Sequence, residues 1–233
     1  MLVDSFTPEP GVEYIKIHGL QRSGTNYLAG LVDDNFQNVR SLSNVGGWKH
    51  GHYCAPWVIG FEVHVLIVTK NPYAWLDSLY RYWSCSDVGE DLTGKTFEQF
   101  VTGKAVFERA AGTPYLLHAA NPVRHWNDMN FHWLSVRANT KKVLAVPYEA
   151  LLVDTDGVLG AVADDFGLKR GPLAIRTEKA TPSGKGGTWV DRDYYLKELF
   201  LHKYTPELIR FVNDNLDADV MGTLGYSFVK EDR

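Results

Sequence analysis

Three apolar strands, each passing through a short loop into a helix with three-and-four periodicity, predict an α/β protein. Its expected architecture is three-layer α/β/α, with a central parallel sheet. The clearest strand, at Val63 to Thr69, is nearly continuous in apolar residues, as in parallel strands buried on both faces. Glycine, cationic and hydroxyl residues gather where strands give way to helices, and α/β sheets take their ligands beyond the carboxyl ends of the strands.

The first unit runs from a strand at Val12 to His18, through Gly19 and Gly24, into a helix with Tyr27, Leu28, Leu31 and Val32 on one side. In the second, Asn71-Pro72 stops the Val63 strand. Proline suits the first turn of the helix that follows, which carries Trp75, Leu76, Leu79, Tyr80 and Trp83. From 84 to 122 the pattern weakens into a surface excursion with one short helical piece near Phe97 to Val101. Val123 to Arg137 restores an amphipathic helix with Trp126, Asn130, Trp133 and Leu134 along one flank, and Lys142 to Pro147 supplies a third strand. Tyr148 begins the next helix. A glycine-rich stretch, SGKGGTW at 183–189, precedes two polar-faced helices reaching Leu216. No repeat or linker interrupts the chain, which reads as one domain over 1–233, with the excursion and a loop at 179–190 inside it.

A chain of 233 residues, 45% of them hydrophobic, is long enough to bury one sizeable core. Its 24 basic and 28 acidic residues leave a net charge of −4, so no broad basic face is expected for nucleic acid or a membrane. Any anionic ligand has to be held locally. Two cysteines, Cys54 and Cys85, are too few for a disulfide framework and lack paired metal-ligand spacing; free thiols and a cytoplasmic location are expected, with no metal site. The amino terminus lacks a signal-peptide pattern, and the apolar runs fall short of the ~20 residues of a membrane span.

Gly19-Leu20-Gln21-Arg22-Ser23-Gly24-Thr25 has the glycine spacing of a P-loop, which turns backbone N–H groups and a helix N-terminus toward a phosphate. Thr25 and Asn26 stand where a nucleoside triphosphatase carries lysine and its magnesium-binding hydroxyl, which counts against a small-metabolite kinase. The cation is instead Arg22, whose planar fork binds two oxygens at once. Lys70, at the end of the Val63 strand, and Ser78, two helical turns later, can reach one phosphate from opposite sides.

The string RSGTNYL at 22–28 resembles the 5′-phosphosulfate loop of sulfotransferases, and VTKNPYAWLDSLYRYW at 68–83 resembles the 3′-phosphate motif of the same family, with Lys70 in place of its usual arginine. GKGGTW at 184–189 matches the family's G-x-x-G-x-W loop, without the basic pair that usually precedes it; Lys185, Lys179 and Arg176 are candidate substitutes. The resemblance implies a P-loop-like nucleotide-binding core and 3′-phosphoadenosine 5′-phosphosulfate as donor, leaving adenosine 3′,5′-bisphosphate as product. By it, Arg22, Ser23, Gly24, Thr25 and Asn26 hold the 5′-phosphosulfate, and Lys70 and Ser78 hold the 3′-phosphate. Tyr27 and Tyr148 are adenine contacts, and Gly184, Lys185, Gly187 and Trp189 belong to a closing loop. Tyr148, in VPYEALLVD, reads equally well as a plain helix start.

Sulfuryl transfer to a hydroxyl or amine needs a base for the acceptor proton and charge stabilisation for the departing oxygen. Among eight histidines, those in GWKHGHY at 47–53 stand apart, because many soluble sulfotransferases carry a Lys-x-His signature between the two phosphate motifs. His50 is the first choice as base and His52 the second, with Lys49 supporting the leaving group and Arg22 the developing charge. The expected acceptor is a small molecule or carbohydrate, whose identity the residues leave open. Trp48, Tyr53, Trp57, Trp83, Tyr115 and Trp126 are available either to line its cleft or to pack in the core. Two other readings share the loop: a P-loop kinase, and a nucleotide-binding protein without catalysis.

Overall fold

The strand β1 (Glu13–His18) lies between β2 (Val39–Leu42) and β3 (Val63–Thr69), and β6 (Thr140–Pro147) borders β3 on its other side; all three pairings are parallel. The computed structural model describes residues 7–42, 45, 47–52, 62–84, 92, 94–108, 116–136, 140–175 and 192–231. It has the α/β fold expected, a parallel sheet flanked by helices. Every residue of β3 is buried, which accounts for its unbroken apolar run. β2 was not legible in the sequence: four residues with two polar ones between Val39 and Leu42 carry too little pattern.

Contacts divide the chain into two units, Met1–Thr69 with His132–Ala180, and Lys70–Phe131 with Thr181–Arg233. In the first, α1 (Thr25–Asn35), α5 (Tyr148–Val153) and α6 (Thr155–Phe166) bury an apolar cluster with the sheet, including Ile15, Ile17, Leu28, Leu31, Leu66, Val68, Leu151 and Val162. The helix starting at Tyr148 is short. Asp154 then caps α6 by accepting from the Gly157 amide at 2.9 Å. In the order β2-β1-β3-β6 the chain leaves β1 in one direction for β2 and returns on the other side as β3. The carboxyl ends of β1 and β3 therefore meet at a topological switch point, the usual ligand position of such sheets.

In the second unit, α2 (Pro72–Trp83) is capped by Asn71 Oδ1, which accepts from the amides of Tyr73 and Ala74 at 3.0 and 3.4 Å. Trp75, Trp83, Phe107 and His125 pack ring against ring, with His125 stacked 3.6 Å from Phe107. Trp83 and Trp126 are accordingly buried in packing. Among the described residues of the excursion, α3 (Phe97–Thr102) has a Thr96/Gln99 capping box, and β4 (Ala105–Glu108) pairs antiparallel with β5 (Leu116–Ala119), a hairpin the weak pattern did not suggest. α4 (Pro122–Leu134) follows in the chain. The later elements are α7 (Arg192–Leu196), a 3₁₀ turn at Leu199–Lys203, α8 (Pro206–Asn215) and α9 (Ala218–Thr223). Among the described residues no helix is long and apolar enough to cross a membrane.

Candidate functional site

The loop joining β1 to α1 closes around two glycines. A Cβ at Gly19 would lie 2.5 Å from the Val68 carbonyl oxygen and 2.6 Å from Ser23 Oγ, so only glycine fits against β3 there. At Gly24, φ is +102° and a Cβ would fall 2.5 Å from the Tyr148 ring. Between them Arg22 has φ 69°, a left-handed conformation that costs a non-glycine residue about 1–3 kcal/mol. Both the amide and the hydroxyl of Ser23 bond the Leu20 carbonyl, at 3.1 and 2.7 Å, which tightens the turn. Then α1 starts without a side-chain cap and without an acidic residue in its first turn. Its first amides and its dipole are thus oriented for an anion at the loop.

A second loop is fastened to this one by a residue that the sequence reading passed over. Lys16 is fully buried in β1, and its ammonium donates to the carbonyls of Val45 and Gly47, each at 2.7 Å. The Gly19 amide donates to the Lys49 carbonyl at 3.2 Å, His18 Nδ1 reaches the same oxygen at 3.2 Å, and Trp133 Nε1 donates to Gly51 at 3.0 Å. A lysine inside the apolar strand EYIKIH was the available signal, since a buried ammonium requires acceptors.

These tethers bring Lys49 and His50 to the β1–α1 loop. The Lys49 ammonium donates to Asn26 Oδ1 in the first turn of α1, and burial lowers its pKa. His50 Nδ1 lies 2.6 Å from the Gly19 carbonyl. Because that partner can only accept, Nδ1 carries the proton and Nε2 keeps its lone pair. Burial pushes the His50 pKa down to about 3, with the charges of Lys49 and Lys16 acting in the same direction against the Gly19 hydrogen bond. His52 is exposed and meets His132 edge-on, with ring centroids 4.7 Å apart. His18, buried and stacked on Trp133, is held well below its ordinary pKa by burial and by Lys16.

Tyr27 and Tyr148 meet edge to face, centroids 6.4 Å apart, beside Gly24 and against the core of the first unit. The two expected adenine contacts are therefore neighbours.

In the second unit, Lys70 and Ser78 are each 3% exposed and converge on Tyr195 of α7. The Lys70 ammonium stands 4.0 Å over the Tyr195 ring, and Ser78 shares a hydrogen bond with its hydroxyl. Arg81, one turn after Ser78, donates from Nη2 to the same hydroxyl at 3.5 Å. Burial raises the Tyr195 pKa, but Lys70, Arg81 and the bonds to Ser78 and Arg81 outweigh it and bring it below the ordinary phenol value. Arg81 is oriented by buried Asp77, which accepts its Nε–H at 3.0 Å and also bonds Lys203 and Tyr194. Gly184, Lys185, Gly187 and Trp189 lie outside the described residues, as do Lys179, Arg176, both cysteines, Tyr53, Trp57 and Tyr115.

No protein-family model matches the sequence, and neither does any curated protein. Among solved structures, the chain is similar to a mouse sulfotransferase, SULT7A1, complexed with PAP: the TM-score is 0.59 at 14% identity, covering 96% of this chain and 90% of that one. At that identity the likeness defines the fold, which is α/β and sulfotransferase-like.

Proposed function

We propose that the protein is a sulfotransferase that moves a sulfuryl group from 3′-phosphoadenosine 5′-phosphosulfate to a hydroxyl or amine of a small molecule or carbohydrate. The observation that carries this reading is the contact of His50 and Lys49 with the anion loop, through the Gly19 carbonyl and Asn26. A loop that offers backbone amides and Arg22, with Lys49 and an unprotonated imidazole nitrogen alongside, combines anion binding with proton removal. As the acceptor atom bonds to sulfur, the bond from sulfur to the 5′-phosphate oxygen breaks. His50 Nε2 takes the acceptor proton, while Arg22 and the loop amides stabilise the departing oxygen. Lys70 and Ser78 hold the 3′-phosphate, and Tyr27 and Tyr148 face the adenine.

An imidazole with a pKa of about 3 is a weak base in the free protein. Anionic donor groups beside it favour the imidazolium and raise its basicity when the donor is present. The kinase reading has no comparable support, because Thr25 stands in the place of the Walker lysine.

The test is a screen of acceptors with labelled donor, repeated on His50→Ala. Turnover is expected to fall by about 10²–10⁴-fold in the variant with nucleotide affinity retained. Turnover at the unaltered rate would remove His50 as the base. Magnesium-dependent binding of ATP in preference to adenosine 3′,5′-bisphosphate would remove the sulfotransferase reading itself.

A further inference from the structure

We propose that Tyr195 and Arg81 complete the 3′-phosphate site with Lys70 and Ser78, so that the tyrosine hydroxyl reads the presence of the 3′-phosphate. This rests on the sulfotransferase reading; Tyr195 lies outside the motifs that suggested it, and Arg81, although within the 68–83 string, is not one of the positions assigned a role there.

The geometry is that of an oxyanion site within the second unit. Four groups able to donate to a phosphate, two of them cations, converge on one buried spot: the Lys70 ammonium, the Ser78 hydroxyl, Arg81 Nη2 and the Tyr195 hydroxyl. Ser78 and Arg81 sit one turn apart on α2 and point the same way. Arg81 has its Nε–H engaged by Asp77, which fixes the guanidinium plane and turns Nη2 toward Tyr195. Asp77 in turn bonds Lys203 and Tyr194, so its charge is balanced without drawing on Lys70. The ammonium of Lys70 lies over the ring face of Tyr195.

The arrangement also supplies what the lysine substitution removes. An arginine at position 70 would offer a planar fork to the phosphate, whereas lysine offers a point charge. Arg81 restores a guanidinium from the next turn of the helix, and Tyr195 adds a directional hydroxyl. A phosphate dianion here holds the phenol protonated and donating, because a neighbouring negative charge disfavours phenolate.

The experiment compares the full-length protein with Tyr195→Phe, measuring affinity for adenosine 3′,5′-bisphosphate and for adenosine 5′-monophosphate by calorimetry. Phenylalanine keeps the ring under Lys70 and removes only the hydroxyl. The bisphosphate is expected to bind about tenfold more weakly, the loss of one hydrogen bond to a charged group, while the monophosphate changes less than about twofold. An unchanged or tighter affinity for the bisphosphate would overturn the proposal, as would equal losses for both nucleotides. A wild-type protein that fails to prefer the bisphosphate would remove the sulfotransferase reading and this inference together; the preference kept intact in Tyr195→Phe would remove this inference alone.

Discussion

With its Nδ1–H engaged by the Gly19 carbonyl at 2.6 Å, His50 presents Nε2 alone for chemistry. Burial of the ring ties its protonation to folding. An unfolded histidine titrates near 6.5, whereas folded His50 does so at about 3. Between those values the unfolded chain binds more protons, so folding stability falls as pH drops below about 6.5. His18, also held low by burial, adds to that slope. Urea midpoints measured from pH 7 to pH 5 should therefore fall in the wild type and fall less in His50→Gln; identical slopes would show that His50 is not held neutral by the fold. The residue type was readable in advance, since KHGH placed two histidines beside a lysine. The resemblance ranked His50 before His52; the contact of His50 with the Gly19 carbonyl is one that no local spacing encodes.

At the scale of elements, the β1–α1 connection depends on two close approaches by residues distant in sequence. Gly24 combines φ +102° with a Tyr148 ring 2.5 Å from where a Cβ would be, so Gly24→Ala meets both backbone strain and overlap. We expect Gly24→Ala to cost about 1–3 kcal/mol in chemical denaturation. Added to Tyr148→Ala it should cost less than the sum of the two, because the overlap disappears with the ring and the φ strain remains. Strict additivity in that double-mutant cycle would show that the ring does not constrain the loop. The glycines themselves were legible as a phosphate-loop pattern. Their dependence on Val68 and Tyr148 was not, because β3 and α5 bring those residues to the loop from far along the chain. Lys16 shows the same limit: the strand pattern identified β1, but only the tertiary placement of Val45 and Gly47 explains a lysine within it.

For the molecule as a whole, a net charge of −4 leaves binding of a multiply charged nucleotide to a few local cations. If the fold serves this ligand, adenosine 3′,5′-bisphosphate at about 100 times its dissociation constant should stabilise the folded chain by roughly 2.7 kcal/mol, read as a rise in the urea midpoint. No rise at saturating nucleotide would separate the fold from this ligand. The three strands β1, β3 and β6 and the helices that follow them were legible in the sequence, because buried parallel strands and amphipathic helices carry their burial in local periodicity. So was the loop between β1 and α1, whose glycines, arginine and hydroxyls are contiguous from Gly19 to Thr25. The hairpin β4–β5 and the strand β2 escaped, being short and only partly apolar. Tertiary structure alone decided that His50 touches the β1–α1 loop at Gly19, that Lys16 anchors the segment carrying it, and that Tyr195 joins Lys70 and Ser78. Those contacts link positions tens of residues apart, and hydrogen bonds or charges that meet only after folding leave no periodic trace in the chain.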